Sequence, residues 1–441
     1  MNNSSSQLID QKLSLFAAIL INLNVMLGAG IFINTIQLAH HAGALGFLGY
    51  LIIGVLMLPL ILCIAQLLNR HPSGGFYTFA AREISTQAGF LSAWSYFTGK
   101  LASSILMIHV SVGLLQSVVP LMRSANIYAL DLIILALFIF CNTMNFRIGT
   151  LIQSFFVGFK SIPIVTALIV GALFMKSSNF SYTDFKWEGI PFILPLVLYA
   201  SAGFEAACSL SCRIKNAEKN ASRVVLISFG LVIIIATFYQ LFFYGAVGSQ
   251  LGNLPDYRYA FPALFHQYNF SYSLRSLLTS IFHLAIAFSA LGGSYGIIFS
   301  NTWNLYILAE NKHTFMSARL AQFNRHLIPW ACVVIQGFIC IIYLLLTGGA
   351  QLPLQQLSAL GCTLAYTMSV LSLRAAFMKE NRPPSAYLII WGALISCAIL
   401  ISSCIGTLYY QSAQSLLMFA VLLLIGIAMF WTTRKIQQPS R

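Results

Sequence analysis

Apolar runs close to or above the roughly 18 to 20 residues that cross about 30 Å of hydrocarbon as a helix recur along the whole chain, separated by short polar stretches. The pattern predicts about twelve spans, at 14–36, 46–69, 87–119, 127–143, 149–175, 190–212, 221–247, 276–309, 326–347, 354–377, 386–408 and 413–433. The longest polar connection, near 248–275, reads as an external loop. The segment RHPSGGFYTFAARE at 70–83 reads as a turn between spans 2 and 3, forced by its proline and paired glycines. No separate soluble domain is expected.

Two of these spans carry small residues where a lipid-embedded helix needs every backbone hydrogen bond. Span 1 contains NVMLGAGIFI at 24–33, and span 6 contains PLVLYASAGFEAACSL at 195–210 with an acid, Glu205, just after the small residues. Small residues also let helices pack closely, but interruptions in two corresponding spans are the sequence mark of an inverted-repeat transporter with its site near the midplane. A helix that opens at Gly28, Ala29 and Gly30 offers freed N–H groups and a positive dipole end to a carboxylate. Freed carbonyls at Ala200, Ser201, Ala202 and Gly203 would receive an ammonium. Glycine suits such a break because it tolerates unwound backbone and lets a ligand approach.

Composition agrees with a polytopic membrane protein: of 441 residues 59% are hydrophobic and 8% charged, with mean hydropathy +0.82. The net charge of +14 is topological rather than a nucleic-acid footprint, because the basic residues are scattered through short loops on one face. If the N-terminus is cytoplasmic, only Arg123, Lys176, Lys186, Arg258 and Arg275 lie outside, and Lys100 and Lys160 lie within spans. The positive-inside rule then places both termini in the cytoplasm, and localisation in the plasma membrane, or the bacterial inner membrane, is expected. The first apolar stretch is read as a retained span, since no basic n-region precedes it. The nine cysteines show no CxxC spacing and imply neither disulfides nor a metal site; Cys208 and Cys212 are read as buried packing residues. No nucleophile set, phosphate loop, cofactor motif or metal motif is present, so the chain is not read as an enzyme.

Several landmarks in order resemble the amino acid–polyamine–organocation (APC) superfamily of secondary transporters: GAGIF at 28–32, HPSGGFYTFA at 71–80, GFLSAWSYFTGKLAS at 89–103, GFEAACSLSCRIKNAEKNASR at 203–223, and SALGGSYGIIFSNTWNLYILAENK at 289–312. The resemblance implies an all-α membrane fold with discontinuous helices 1 and 6. Its first five-helix repeat would be 14–176 and its second, inverted repeat 188–378. Two peripheral helices (386–433) and cytoplasmic tails at 1–13 and 434–441 complete that expectation. It also implies transport of amino acids or amines by alternating access, as a proton symporter or as an exchanger; a non-transporting nutrient sensor with the same fold is a further alternative. The chain departs from the family pattern at Ala217 and Ala221, where prolines are usual, at Gln66, where many members have Glu, and at Trp303, where many have Arg.

Individual residues follow from charge and from this resemblance. The substrate set is Gly28, Ala29, Gly30, Ile31, Lys100, Tyr199, Ala200, Ser201, Ala202 and Gly203. Lys160, deep in span 5, is functional by default because an ammonium in hydrocarbon is costly, or it snorkels; relatives that use protons carry a lysine there in place of a sodium ion. Glu205 matches the acid that relatives use in gating or pH response, or it is a charge partner of Lys100 or Lys160. Lys100 shares a face with Phe97, Ser103, Ser104 and Met107; it either repels cationic side chains from a cavity wall or is neutralised by Glu205. Tyr199 stands where relatives place an aromatic that covers the substrate, though packing is an equal reading. His109 and His283 are intramembrane histidines without metal spacing, read as satisfied core histidines or as proton relays, the former preferred.

Overall fold

The computed structural model describes residues 14–72, 74–144, 160–205, 214–268 and 270–437. Among them the chain is helical, with one isolated bridge between Gly43 and Phe185. Among the described residues seven helical segments are long and apolar enough to cross a bilayer, and three further apolar helices are shorter. Large apolar side chains such as Val55 and Leu345, both 73% exposed, stand on the outer faces of these helices, as lipid requires and water does not. The protein is an all-α integral membrane protein.

Span 1 is two helices. α1 (Leu15–Met26) starts at Ser14, whose hydroxyl accepts from the Ala17 N–H at 3.2 Å, and ends where Leu27 turns to φ −74°, ψ 69°. α2 (Gly30–Ala42) follows after Gly28 and Ala29. Then come α3 (Leu48–Arg70), the short α4 (Phe76–Glu83) and α5 (Thr86–Val118), a helix of 33 residues capped by Ser85. α6 (Ile127–Asn142) and α7 (Ser161–Leu173) complete this stretch; the expected start of span 5 lies outside the described residues.

α8 (Ile190–Ser201) is the described helix of span 6, and residues 202–205 leave it as irregular backbone. Pro195 removes the N–H that would bond the Pro191 carbonyl four residues back, and the Ser403 hydroxyl donates to that carbonyl instead, at 2.6 Å. Beyond it are α9 (Ala217–Val247), α10 (Ala260–His266), α11 (Tyr272–Glu310), α12 (Trp330–Thr347), α13 (Gln351–Lys379) and α14 (Leu388–Gln437). The 248–275 connection, read from sequence as loop, holds 3-10 turns and α10. Spans 11 and 12 are joined in α14 through a kink at Ser412, φ −162°, ψ 80°. With alanine at 221, α9 runs unbroken through its second turn, and Ala221 is fully buried.

α5 is the axis on which the site is built. It packs along α11 and α13, and α13 crosses it at a point without side chains: a Cβ on Gly99 would lie 2.8 Å from the Gly361 Cα. That closeness brings α13 side chains beside Lys100. α2 also packs against α8, and α3 against α9.

Candidate functional site

The two breaks meet. A Cβ built on Gly30 would lie 2.9 Å from the Ala200 Cα and 3.2 Å from Tyr199 Cδ1, and one built on Gly203 would lie 3.2 Å from the Met26 Cα. Each interruption therefore presses on the helix end of the other. Gly203 has φ +119°, a backbone that favours glycine, which is why the chain can leave α8 here.

The polar groups at the breaks follow from helix geometry. Phe32 and Ile33 both donate to the Ala29 carbonyl, at 3.0 and 3.1 Å, so the N–H groups of Gly30 and Ile31 have no acceptor within α2. No side chain caps this helix. On the other side Ala202 donates to the Leu198 carbonyl at 3.0 Å, leaving the last carbonyls of α8 as its free end. Of the ten residues read as the substrate set, Gly28 and Ala202 are half-buried, one on each break, and the rest are buried. α2 is held in place from outside the break: Asn34 donates to the Leu196 carbonyl at 2.7 Å, and Gln355 donates to Asn34 Oδ1 at 2.8 Å.

Of the two readings of Lys100, the pairing is realised. Its ammonium lies 2.7 Å from Glu205 Oε1 and 5.4 Å from the centre of the Tyr96 ring. The Tyr96 hydroxyl donates to the same oxygen at 3.1 Å. Oε2 accepts from the Gly203 N–H at 2.8 Å and from the Tyr366 hydroxyl at 3.2 Å. A buried carboxylate is tolerated when charge and hydrogen bonds compensate it, and here four donors from α5, α13 and the break itself converge on one acid. Tyr96 and Tyr366 were not singled out from sequence, because a tyrosine in an apolar span reads as packing.

Along α5 the same face carries Ser103, which donates to the Tyr199 hydroxyl at 3.2 Å, and Met107, whose Cε lies 3.5 Å from a Cβ placed on Gly28. Tyr199 thus bridges from α5 to Gly30. Lys160 stands at the head of α7, half-buried, on a helix packed against α9 and α11. Cys208 and Cys212 lie outside the described residues. Trp303 makes an edge contact with Tyr306 at 5.8 Å. Among the described residues no group of three or more His, Cys, Asp or Glu is placed to hold a metal.

Away from the breaks, toward the end that carries Arg258, a cavity of 610 Å³ is lined by Gln37, His109, Asp256, Arg258, Gln351 and Gln411, among others. His109 bonds Asp131 Oδ2 at 2.7 Å, and Asp131 is wholly buried with Oδ1 unpartnered. His283 has both ring nitrogens engaged, by Ser117 at 2.7 Å and by the Arg258 carbonyl at 2.9 Å, so it is a satisfied core histidine. An acid inside an apolar span, Asp131, was the available signal for the other pair.

Comparison with known proteins adds an independent line. The amino acid permease family matches residues 13–430. Over 417 residues, 87% of this chain and 77% of the relative, the sequence is 25% identical to Asc-type amino acid transporter 1 of Homo sapiens. It is 29% identical to the amino-acid permease RocE of Bacillus subtilis over 177 residues, 40% of this chain and 36% of that one. An uncharacterized transporter of Mycobacterium tuberculosis is 21% identical over 442 residues, 98% of this chain and 93% of the relative.

Proposed function

Because the chain belongs to the amino acid permease family, within the APC superfamily, we propose that it carries amino acids across the membrane by alternating access around the paired breaks, driven by protons. The observation that supports this reading most is the meeting of the two interruptions, Gly30 on Ala200 and Gly203 on Met26, which sets an N–H-rich helix start against a carbonyl-rich helix end. The substrate carboxylate docks at the break of 28–31, on the N–H groups of Gly30 and Ile31, and its ammonium on the carbonyls of 200–203. Tyr199 closes over the bound molecule, and Lys160 takes up and releases the coupled proton. Repeats 14–176 and 188–378 rock against each other around this fixed site, with 386–433 peripheral. The protein resides in the plasma membrane with both termini in the cytoplasm, so the Arg258 end faces outward.

The test is uptake of radiolabelled amino acids into proteoliposomes with an inward proton gradient and no internal substrate, comparing the wild type with Lys160→Ala. Concentrative uptake that the variant loses is the expected result. Full proton-driven uptake by Lys160→Ala overturns its coupling role, and uptake that needs internal amino acid makes the protein an exchanger.

A further inference from the structure

The face of α5 that looks at the breaks has a polarity gradient. Met107 lies over Gly28, Ser103 holds the Tyr199 hydroxyl, and Lys100 holds Glu205. Seven residues separate Met107 from Lys100, about 10 Å along the helix. If the breaks are the amino acid site, a side chain that follows this stripe from a carboxylate near Gly28 runs toward Lys100. Short side chains stop near Ser103 and Tyr199. The long arms of lysine and arginine reach the charged end.

What they would meet there is already complete. Glu205 is the acid that a basic side chain would seek, yet both of its oxygens are occupied: Oε1 by Lys100 and Tyr96, Oε2 by Tyr366 and the Gly203 N–H. Lys100 is in turn engaged by Glu205 and the Tyr96 ring. A second cation would find a positive neighbour and no acceptor. An acidic side chain would find a cation already neutralised. We propose that Lys100 is a tethered substitute for a basic side chain, one that occupies Glu205 permanently and restricts the site to amino acids with uncharged side chains. The proposal rests on reading the breaks as an amino acid site.

Ligand-induced thermal stabilisation of the purified full chain tests it without requiring transport. Neutral amino acids raise the melting temperature of the wild type, and lysine and arginine do not. In Lys100→Gln the acid keeps three donors but loses its cation. Stabilisation by lysine should then appear, at concentrations on the order of ten- to a hundred-fold below the highest at which it leaves the wild type unchanged, the effect of one charge-assisted hydrogen bond gained. Adding Glu205→Gln removes that gain, and Lys100→Arg retains the wild-type rejection. If lysine stabilises the wild type as well as neutral amino acids do, the proposal is overturned, even where Lys100→Gln does not fold. A folded Lys100→Gln that keeps neutral ligands and gains nothing from lysine also overturns it. Neutral amino acids that bind the wild type but are never carried across proteoliposomes would leave Lys100 as the selector and sink the transport reading alone. A wild type that no amino acid stabilises sinks both.

Discussion

α5 carries two acid–base pairs, nine residues and about 13 Å apart, on opposite sides of one helix. Lys100 and Glu205 form the first, His109 and Asp131 the second, and both salt-bridging contacts are 2.7 Å. They differ in everything around that contact. Glu205 has four donors on two oxygens, so its charge is fixed by the fold. Asp131 has one partner, an imidazole at the wall of a 610 Å³ cavity, and one oxygen with none. The difference separates an acid whose two oxygens are both engaged by the fold from one that keeps an unpartnered oxygen behind an imidazole at a cavity wall.

Breaking the first pair should have the largest effect. Glu205→Ala leaves Lys100 buried without its carboxylate and should cost about 3–5 kcal/mol, read from unfolding of the purified protein. The double variant Lys100→Gln, Glu205→Gln should recover most of that loss, whereas strictly additive losses would deny that the two side chains act as a pair. Next, Gly203→Ala keeps every side chain of the network but strains the backbone that presents its N–H to Glu205, at a cost of about 1–3 kcal/mol. An alanine tolerated there without loss of stability would show that the φ of +119° is not needed.

The second pair should give a smaller effect. His109→Gln keeps a donor for Asp131 and should cost about 0.5–1.5 kcal/mol, read from unfolding of the purified protein. The smallest effect belongs to a third, exposed cluster at the opposite end. There Arg70 and Arg382 flank Glu380, at 2.9 and 2.8 Å, and hold its carboxyl down at about 2. A lowered carboxyl contributes above its unfolded value, near 4.3, and loses that contribution only as pH falls through about 2. Glu380→Gln should accordingly change stability little and equally from pH 5 to 8, with salt erasing what difference there is.

Much of the architecture is legible in hydropathy because lipid enforces it: runs near twenty residues became helices, and the breaks at Gly28 and Gly203 stand where small residues cluster. The gap expected between spans 11 and 12 falls at the Ser412 kink. What pattern could not supply is convergence. Tyr96, Glu205 and Tyr366 lie on three segments spread over most of the chain, and only the close crossing of α5 and α13 brings them to one point. Lys100 shows the same limit: charge alone left it either a cavity-wall cation or a partner of Glu205, and geometry was needed to place it. Asp131 carries the signal of an intramembrane acid, but its pairing with His109 joins two different helices and has no trace in hydropathy.

The bare crossing at Gly99 and Gly361 bears on how this protein can evolve. Most damaging insertions of bulk between helices can be rescued by shrinking the side chain opposite, but here the opposite residue is already glycine and has nothing to give up. A methyl at 99 meets the Gly361 Cα at 2.8 Å, and one at 361 meets the Ser95 carbonyl at 2.6 Å. Second-site revertants of Gly99→Ala should therefore be absent from position 361 and should arise, if at all, where they let α13 shift as a whole. Such a shift carries Tyr366 with it, so reversion of the packing defect would be paid in the hydrogen bond that this tyrosine makes to Glu205.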